Sequence, residues 1–420
     1  MKKWMVCSIS LLACANSVWA QLSVDADLRA RMELRNGYGT LRSESDEAAA
    51  FVTQRTRLVF DYGNKNLKLR VSPQNVRVWG DVATTSKTDY NGTMLHEAYG
   101  EAILGPRFSA RLGRQELNYD DARILGNVDW AMQGRSHDAL LLKFTSDSTG
   151  RHSVHLGLAL NANKESNFKE DYAQAQYKAM QFLWYHGKFN DLGVSFLFLN
   201  NGMPYTSTGG QKIAYSQTVG PRLTFAKDAW KADASFYAQL GKVATKDVSA
   251  FYAAGNVGYK ASDQLQLSLG MEYLSGTDAR GSADLKSFTP YYGTNHKFNG
   301  FMDYFYVGNH LGSVGLMDLN ATLAYQKAKF SASLTPHYFA SAASIYRANT
   351  TDLDNYLGTE LDFTLGYKLM ENVKLAAGYS QMFASPTLED IKGGDKDLSN
   401  NWFYLSLAFS PKLLSTKAKD

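Results

Sequence analysis

Residues 21–38, QLSVDADLRARMELRNGY, alternate apolar and polar side chains without a break. Leu22, Val24, Ala26, Leu28, Ala30, Met32 and Leu34 fall on one side, with Ser23, Asp25, Asp27, Arg29, Arg31, Glu33 and Arg35 on the other. A helix would scatter these charges around its axis, whereas a period of two gathers them on one face of a strand. The fold must therefore offer a greasy surface to one side of a sheet and a densely charged surface to the other.

The pattern recurs to the end of the chain. Strands are predicted near 22–35, 51–62, 67–79, 94–104, 108–117, 138–146, 152–161, 177–187, 193–199, 214–225, 231–241, 248–259, 265–274, 314–325, 330–339, 357–368, 373–383 and 401–410. Parity changes within 67–79 and 138–146, which predicts a bulge or a displaced edge there. Tight turns such as 63–66, 105–107 and 370–372 alternate with long connections, among them 36–50, 80–93, 118–137, 162–176, 275–313 and 384–400. A soluble sandwich does not sort its connections by length, and no fixed-period repeat suggests a propeller or solenoid. Tyr62, Trp79, Trp184, Tyr185, Tyr259, Tyr325 and Tyr367 sit near strand ends, where interfacial girdles lie. The fold class is all-β: a transmembrane antiparallel β-barrel of about 18 strands, its apolar face on outer-membrane lipid and its charged face on a water-filled lumen. The last strand is expected to close the barrel against 22–35, leaving Lys412 to Asp420 as a tail.

Residues 1–20 read as a secretory signal with a basic start at Lys2 and Lys3 and a small residue, Ala20, at the cut. Leu11-Leu12-Ala13-Cys14 offers the rival reading of a lipoprotein box. The barrel domain then spans 21–420. Both cysteines, Cys7 and Cys14, lie in the signal, so disulfides do not stabilise the mature domain. No later stretch carries 18 consecutive apolar residues, so no membrane-spanning helix is encoded. The formal charge of +4 falls to about +2 without the signal, and no basic block or zinc spacing points to nucleic acid. His96-Glu97 with Glu101 lacks the second histidine of a zinc-protease motif, and Ser136-His137-Asp138 cannot converge as adjacent strand residues. The reading is a transport protein, not an enzyme, with no cofactor or metal. Acids at 118–123 and 351–354 suit either solvated loops or calcium.

Arginine is unevenly placed: fourteen of seventeen lie at or before Arg151. By parity Arg29, Arg31, Arg35, Arg55, Arg57, Arg70 and Arg111 face the lumen. Arg114, Arg123 and Arg135 follow in or near the next outer loop, and Arg222 stands across the barrel. Strands about 4.8 Å apart would gather these heads into one basic arc able to grip carboxylates in bidentate forks. Asp25, Asp27, Glu33, Asp61, Glu97, Glu101 and Glu116 share that side, so a purely structural ladder of ion pairs is the competing role.

Several segments resemble the alginate export family of outer-membrane barrels. The block from Gly113 to Asp121, GRQELNYDD, continues through Leu125-Gly126-Asn127-Val128-Asp129-Trp130 to Gln133-Gly134-Arg135-Ser136-His137-Asp138-Ala139. Residues Gly293 to Gly300 and Gly358-Thr359-Glu360-Leu361-Asp362 add to it. The resemblance implies an eighteen-stranded barrel that passes an acidic polysaccharide through an arginine-lined lumen. Within that pattern Arg114 and Arg135 match directly.

The predicted function is an outer-membrane channel that passively passes an anionic polysaccharide or oligosaccharide, alginate-like, past Arg29, Arg31, Arg55, Arg57, Arg111, Arg114, Arg135 and Arg222. A general or small-anion porin is the alternative. Residues 275–313 hold Tyr291, Tyr292, His296, Lys297, Phe298, Tyr304, Phe305 and Tyr306, too many aromatics for a solvated loop. They are predicted to fold over or into the outer mouth.

Overall fold

Alternation with a period of two builds a wall with two unlike faces. The computed structural model describes residues 20–89, 92–306, 309–310, 313–347 and 351–416. The expected signal segment, all but its last residue, lies outside the described residues. Eighteen antiparallel strands form the barrel. The first nine are β1 (Gln21–Asn36), β2 (Ala49–Gly63), β3 (Leu67–Val78), β4 (Met94–Ile103), β5 (Phe108–Gln115), β6 (His137–Thr145), β7 (His152–Leu160), β8 (Ala179–Phe189) and β9 (Leu192–Ser207). The rest are β10 (Gly210–Lys227), β11 (Trp230–Val243), β12 (Lys246–Lys260), β13 (Leu265–Leu274), β14 (Leu316–Lys327), β15 (Phe330–Ala340), β16 (Tyr356–Met370), β17 (Val373–Ala384) and β18 (Asn400–Phe409).

Each strand pairs with its neighbour in sequence, and β1 pairs with β18 from Leu28↔Phe409 to Asn36↔Asn401, which closes the barrel. Trp402 of β18 donates its indole N–H to Glu33 of β1 at 3.1 Å across this seam. The tail expected after β18 is partly strand. Pro411 lacks an N–H and interrupts the ladder, yet Lys412–Ser415 resumes pairing with β1 at Ser23–Asp25. Residues 417–420 lie outside the described residues.

Leu28, Leu58, Phe60, Leu156, Leu183, Phe198 and Leu405 are exposed on the outer wall, where lipid replaces water. Trp230 packs on Tyr259 with ring centroids 4.6 Å apart near the periplasmic end. Trp184 corrects the expected girdle. It shares the inner face of Phe182 and His186, and donates to Asp120 at 3.1 Å inside the barrel.

The bulge expected in β3 lies on its neighbour: β3 keeps continuous register with β2, and its ladder with β4 shifts between Ser72 and Pro73 because His96 of β4 is the extra residue. The one in β6 is not a bulge, since both of its ladders run in continuous register. Its inward residues Ala139 and Leu141 are apolar because they are buried beneath material filling the lumen. β9 and β10 extend well past their expected ends into a long outer hairpin. The connection 384–400 holds a short helix, α1 (Pro386–Lys392), capped by the Ser385 hydroxyl, which accepts from Leu388 N–H at 3.1 Å. The packed core sits inside the barrel: Met180, Met302, Tyr304, Phe339 and Trp402 are fully buried.

Candidate functional site in the barrel lumen

Two loops from opposite sides of the barrel enter the lumen and interlock. Residues 116–136 come from the β5–β6 connection and the described residues of 275–315 from the β13–β14 connection. The N–H of Gly126 donates to Tyr292 O at 2.8 Å, and the N–H of Thr294 donates to Ala122 O at 2.8 Å. Arg135 adds a bond to Gly293 O at 3.0 Å. Glycine is required where the two backbones meet: a Cβ on Gly126 would lie 2.4 Å from Thr294 Oγ1, and one on Gly293 2.2 Å from Arg123 O. The predicted entry of 275–313 into the mouth is thus met, for its described residues, by a second entrant that the sequence reading left as an outer loop.

The basic wall holds this plug. Arg29 and Arg55 both donate to the Asp129 carboxylate, at 3.0 and 2.8 Å, and Arg55 also pairs with Asp27. Burial alone would raise the Asp129 pKa, but the two guanidinium groups outweigh it and hold the carboxyl below its ordinary range. Arg31 bonds Glu33 at 2.9 Å and the carbonyl of Trp130 at 2.8 Å, with its guanidinium 3.9 Å above the Trp130 ring. Trp130 in turn stacks on His296 at 4.5 Å and meets Trp402 and Tyr404 edge-on. Arg57, also buried, donates twice to Gln74. Burial lowers the pKa of Arg135 from its ordinary value.

The remaining predicted arginines separate. Arg111 faces the lumen lower down, bound to Glu101 at 2.8 Å beside Lys143. Arg222, across the barrel, bridges Asp121 at 2.7 Å and Asp233 at 3.0 Å. Arg114 is a correction: it shares the face of lipid-exposed Leu112, not that of Arg111, and pairs with Asp138 at 3.0 Å on the outside of the wall. The two-residue period continues through Gly113 without a register shift, so a motif match could not carry its side chain inward.

The opposite wall is acidic and also grips the plug. Glu360 and Asp362 of β16 accept the N–H groups of Met302 and Phe301 at 2.8 and 3.1 Å. Glu272 of β13 accepts from Arg123 at 2.9 Å, and Asp318 of β14 from Asn299 at 3.2 Å. Acidic loop residues are likewise engaged: Asp120 with Trp184 and Asp121 with Arg222.

Below the plug, five lysines turn inward near the periplasmic mouth. They are Lys68 of β3, Lys188 of β8, Lys231 of β11, Lys368 of β16 and Lys374 of β17, placed by the parity of Arg70, His186, Asp233, Asp362 and Ser380. All five are exposed and none makes an ion pair among the described residues. Lys368 and Lys374 stand directly opposite each other on adjacent strands. Counting by twos along each strand places these lysines from sequence as it does the arginines.

A family model described as alginate export matches residues 20–398. Among solved structures, the chain is similar to OccK11 (OpdR) of Pseudomonas aeruginosa, with 10% identity, TM-score 0.60, and coverage of 94% of this chain and 96% of that one. It is similar to OccAB1 of Acinetobacter baumannii, with 13% identity, TM-score 0.62, and coverage of 94% and 97%. A third is OccK2 (OpdF) of Pseudomonas aeruginosa, in complex with glucuronate, with 12% identity, TM-score 0.61, and coverage of 94% and 98%. At these identities the likeness is one of fold. No curated protein matches the chain.

Proposed function

The chain belongs to the alginate export family, and from that premise we propose that this outer-membrane channel passes an acidic oligosaccharide or polysaccharide. The observation that carries the reading is the set of five inward lysines that form no ion pair among the described residues. Like charges directly opposite on a strand pair destabilise a sheet, so Lys368 facing Lys374 is a cost without a structural return. A low-dielectric wall focuses such charge and concentrates anions at the mouth, more strongly at low salt. The arginines contribute differently. Asp129 and the Trp130 carbonyl of the plug hold Arg29, Arg55 and Arg31, and displacement of the plug would free those donors for successive carboxylates of a passing chain, while Asp27 and Glu33 of the wall stay beside Arg55 and Arg31. The glucuronate in OccK2 accords with this cargo chemistry.

A small-anion porin is the competing reading, favoured by the packed plug, in which Met302 and Tyr304 are fully buried. Planar-bilayer recording separates the two. Anion selectivity with block by oligouronates at low concentration supports the saccharide channel. Ohmic conductance without such block supports the porin, and cation selectivity overturns both.

A further inference from the structure

On the wall opposite the arginines, below the interlocked loops, lies a cavity of about 410 Å³. Its volume falls within the ~300–1,000 Å³ usual for small-ligand sites. The wall is made by β10–β15, and Lys297, Phe298 and Phe301 of the second loop overhang it. Most of its charge is already matched: Arg222 with Asp121 and Asp233, Glu272 with Arg123. Asp318 is bound to His337 and Asn299.

What remains open is specific. The side chains of Asn320 and Ser268 line the cavity, and neither has a hydrogen-bond partner among the described residues. Asn320 reaches inward because its neighbour across the ladder is Gly270, where a Cβ would come within 2.6 Å of the amide oxygen. Lys297 is exposed, makes no ion pair among the described residues, and donates once, to Asp121 O at 3.0 Å. An ammonium has three donors, so two stay available. The rings of Phe298 and Phe301 supply flat apolar surface beside these polar groups.

We infer that this cavity is a binding subsite for one uronate unit of the cargo. An amide and a hydroxyl suit adjacent ring hydroxyls, an aromatic face suits the C–H side of a pyranose, and Lys297 suits its single carboxylate. A polyanion without hydroxyls would make no use of Asn320 and Ser268, and a neutral sugar would make no use of the Lys297 charge. The inference rests on the acidic-saccharide reading but places recognition on the wall away from the arginine arc.

The test is equilibrium binding of glucuronate, glucose and acetate to the refolded full-length barrel in detergent. Binding is compared with that of the Lys297→Gln and Asn320→Leu variants, and oligouronate block is recorded in parallel. Glucuronate is expected to bind the wild type at least ten-fold better than acetate. Lys297→Gln is expected to weaken glucuronate about ten-fold and leave glucose unchanged, while Asn320→Leu weakens both sugars. Lys297 is exposed, so its variant keeps the fold, which heat-modified mobility on gels verifies. Wild-type glucuronate affinity in both variants, or glucuronate bound no better than acetate, overturns the subsite. If oligouronate block persists in that case, the channel reading stands without it; if block is absent from the wild type, both fall.

Discussion

Arg29 and Arg55 face each other directly across the β1–β2 ladder, and one loop carboxylate, Asp129, accepts from both. Two cations at that spacing repel; Asp27 of β1 offsets part of the repulsion and the loop carboxylate supplies the rest. Asp129→Asn should cost the docked plug roughly 1.5–3 kcal/mol, the range for hydrogen bonds to charged groups. Single-channel conductance should rise and anion preference should increase while the barrel stays folded. Unchanged conductance would mean that the loop is held by its aromatic contacts alone.

Acid should act on the same latch. Docking depresses the Asp129 pKa, so the free loop takes up a proton before the docked one does. The stabilisation is complete above the ordinary aspartate value of about 3.9 and is lost as pH falls through the lower, docked value. Conductance should therefore step upward reversibly on acidification below about pH 4. In the Asp129→Asn channel that step should be missing, and its persistence would assign it to other groups.

Steric release makes a second route to the same state. Gly126→Val places a side chain into Thr294 and the carbonyl of Ala122, and overpacking of this kind costs about 1–3 kcal/mol. Residues 116–136 should become accessible to added protease in proteoliposomes. Gly105→Ala, in an open periplasmic turn, should change nothing. Equal cleavage in the two variants would argue against interlocking as the cause.

Charge and stability should part company at the periplasmic mouth. Lys374→Glu converts the opposed Lys368–Lys374 pair into an attractive one and should stabilise the barrel by roughly 0.2–1 kcal/mol. The same change should reduce anion preference in reversal-potential measurements, and Lys68→Glu combined with it should reduce it further. A channel that keeps its full anion preference after both changes would remove the lysines from the permeation path.

Much of the wall was legible because lipid enforces a strict rule. Where both lipid and water touch a strand, as along β1 or β13, alternation gives the element and its facing. The rule weakened where one of those solvents was missing. Leu141 broke parity because it faces a packed plug instead of water. The outer half of the β9–β10 hairpin, including Pro204 and Gly209, stands beyond lipid and shows no apolar stripe. Helix α1 was signalled by Ser385 followed by Pro386, a capping pair within a stretch read only as a long connection. The arginines were visible, but their engagement was not. Asp129 reaches Arg29 over 100 residues of chain, and no local spacing encodes a contact of that kind.

The interlock of the two loops also imposes an order on assembly. Val128 meets Thr294 across 166 residues, and Trp402, which packs on Trp130, seals Glu33 across 369. Contacts of such separation form late, because the entropy of closing the intervening chain must be met first. The loop interlock spans less chain than the β1–β18 seam, and Asp129 can meet Arg29 and Arg55 before β18 is present, so on this ground the two loops can engage before the wall closes. Only Trp130 against Trp402 and Tyr404 waits for the last strand, so β18 locks a plug whose other contacts are already available.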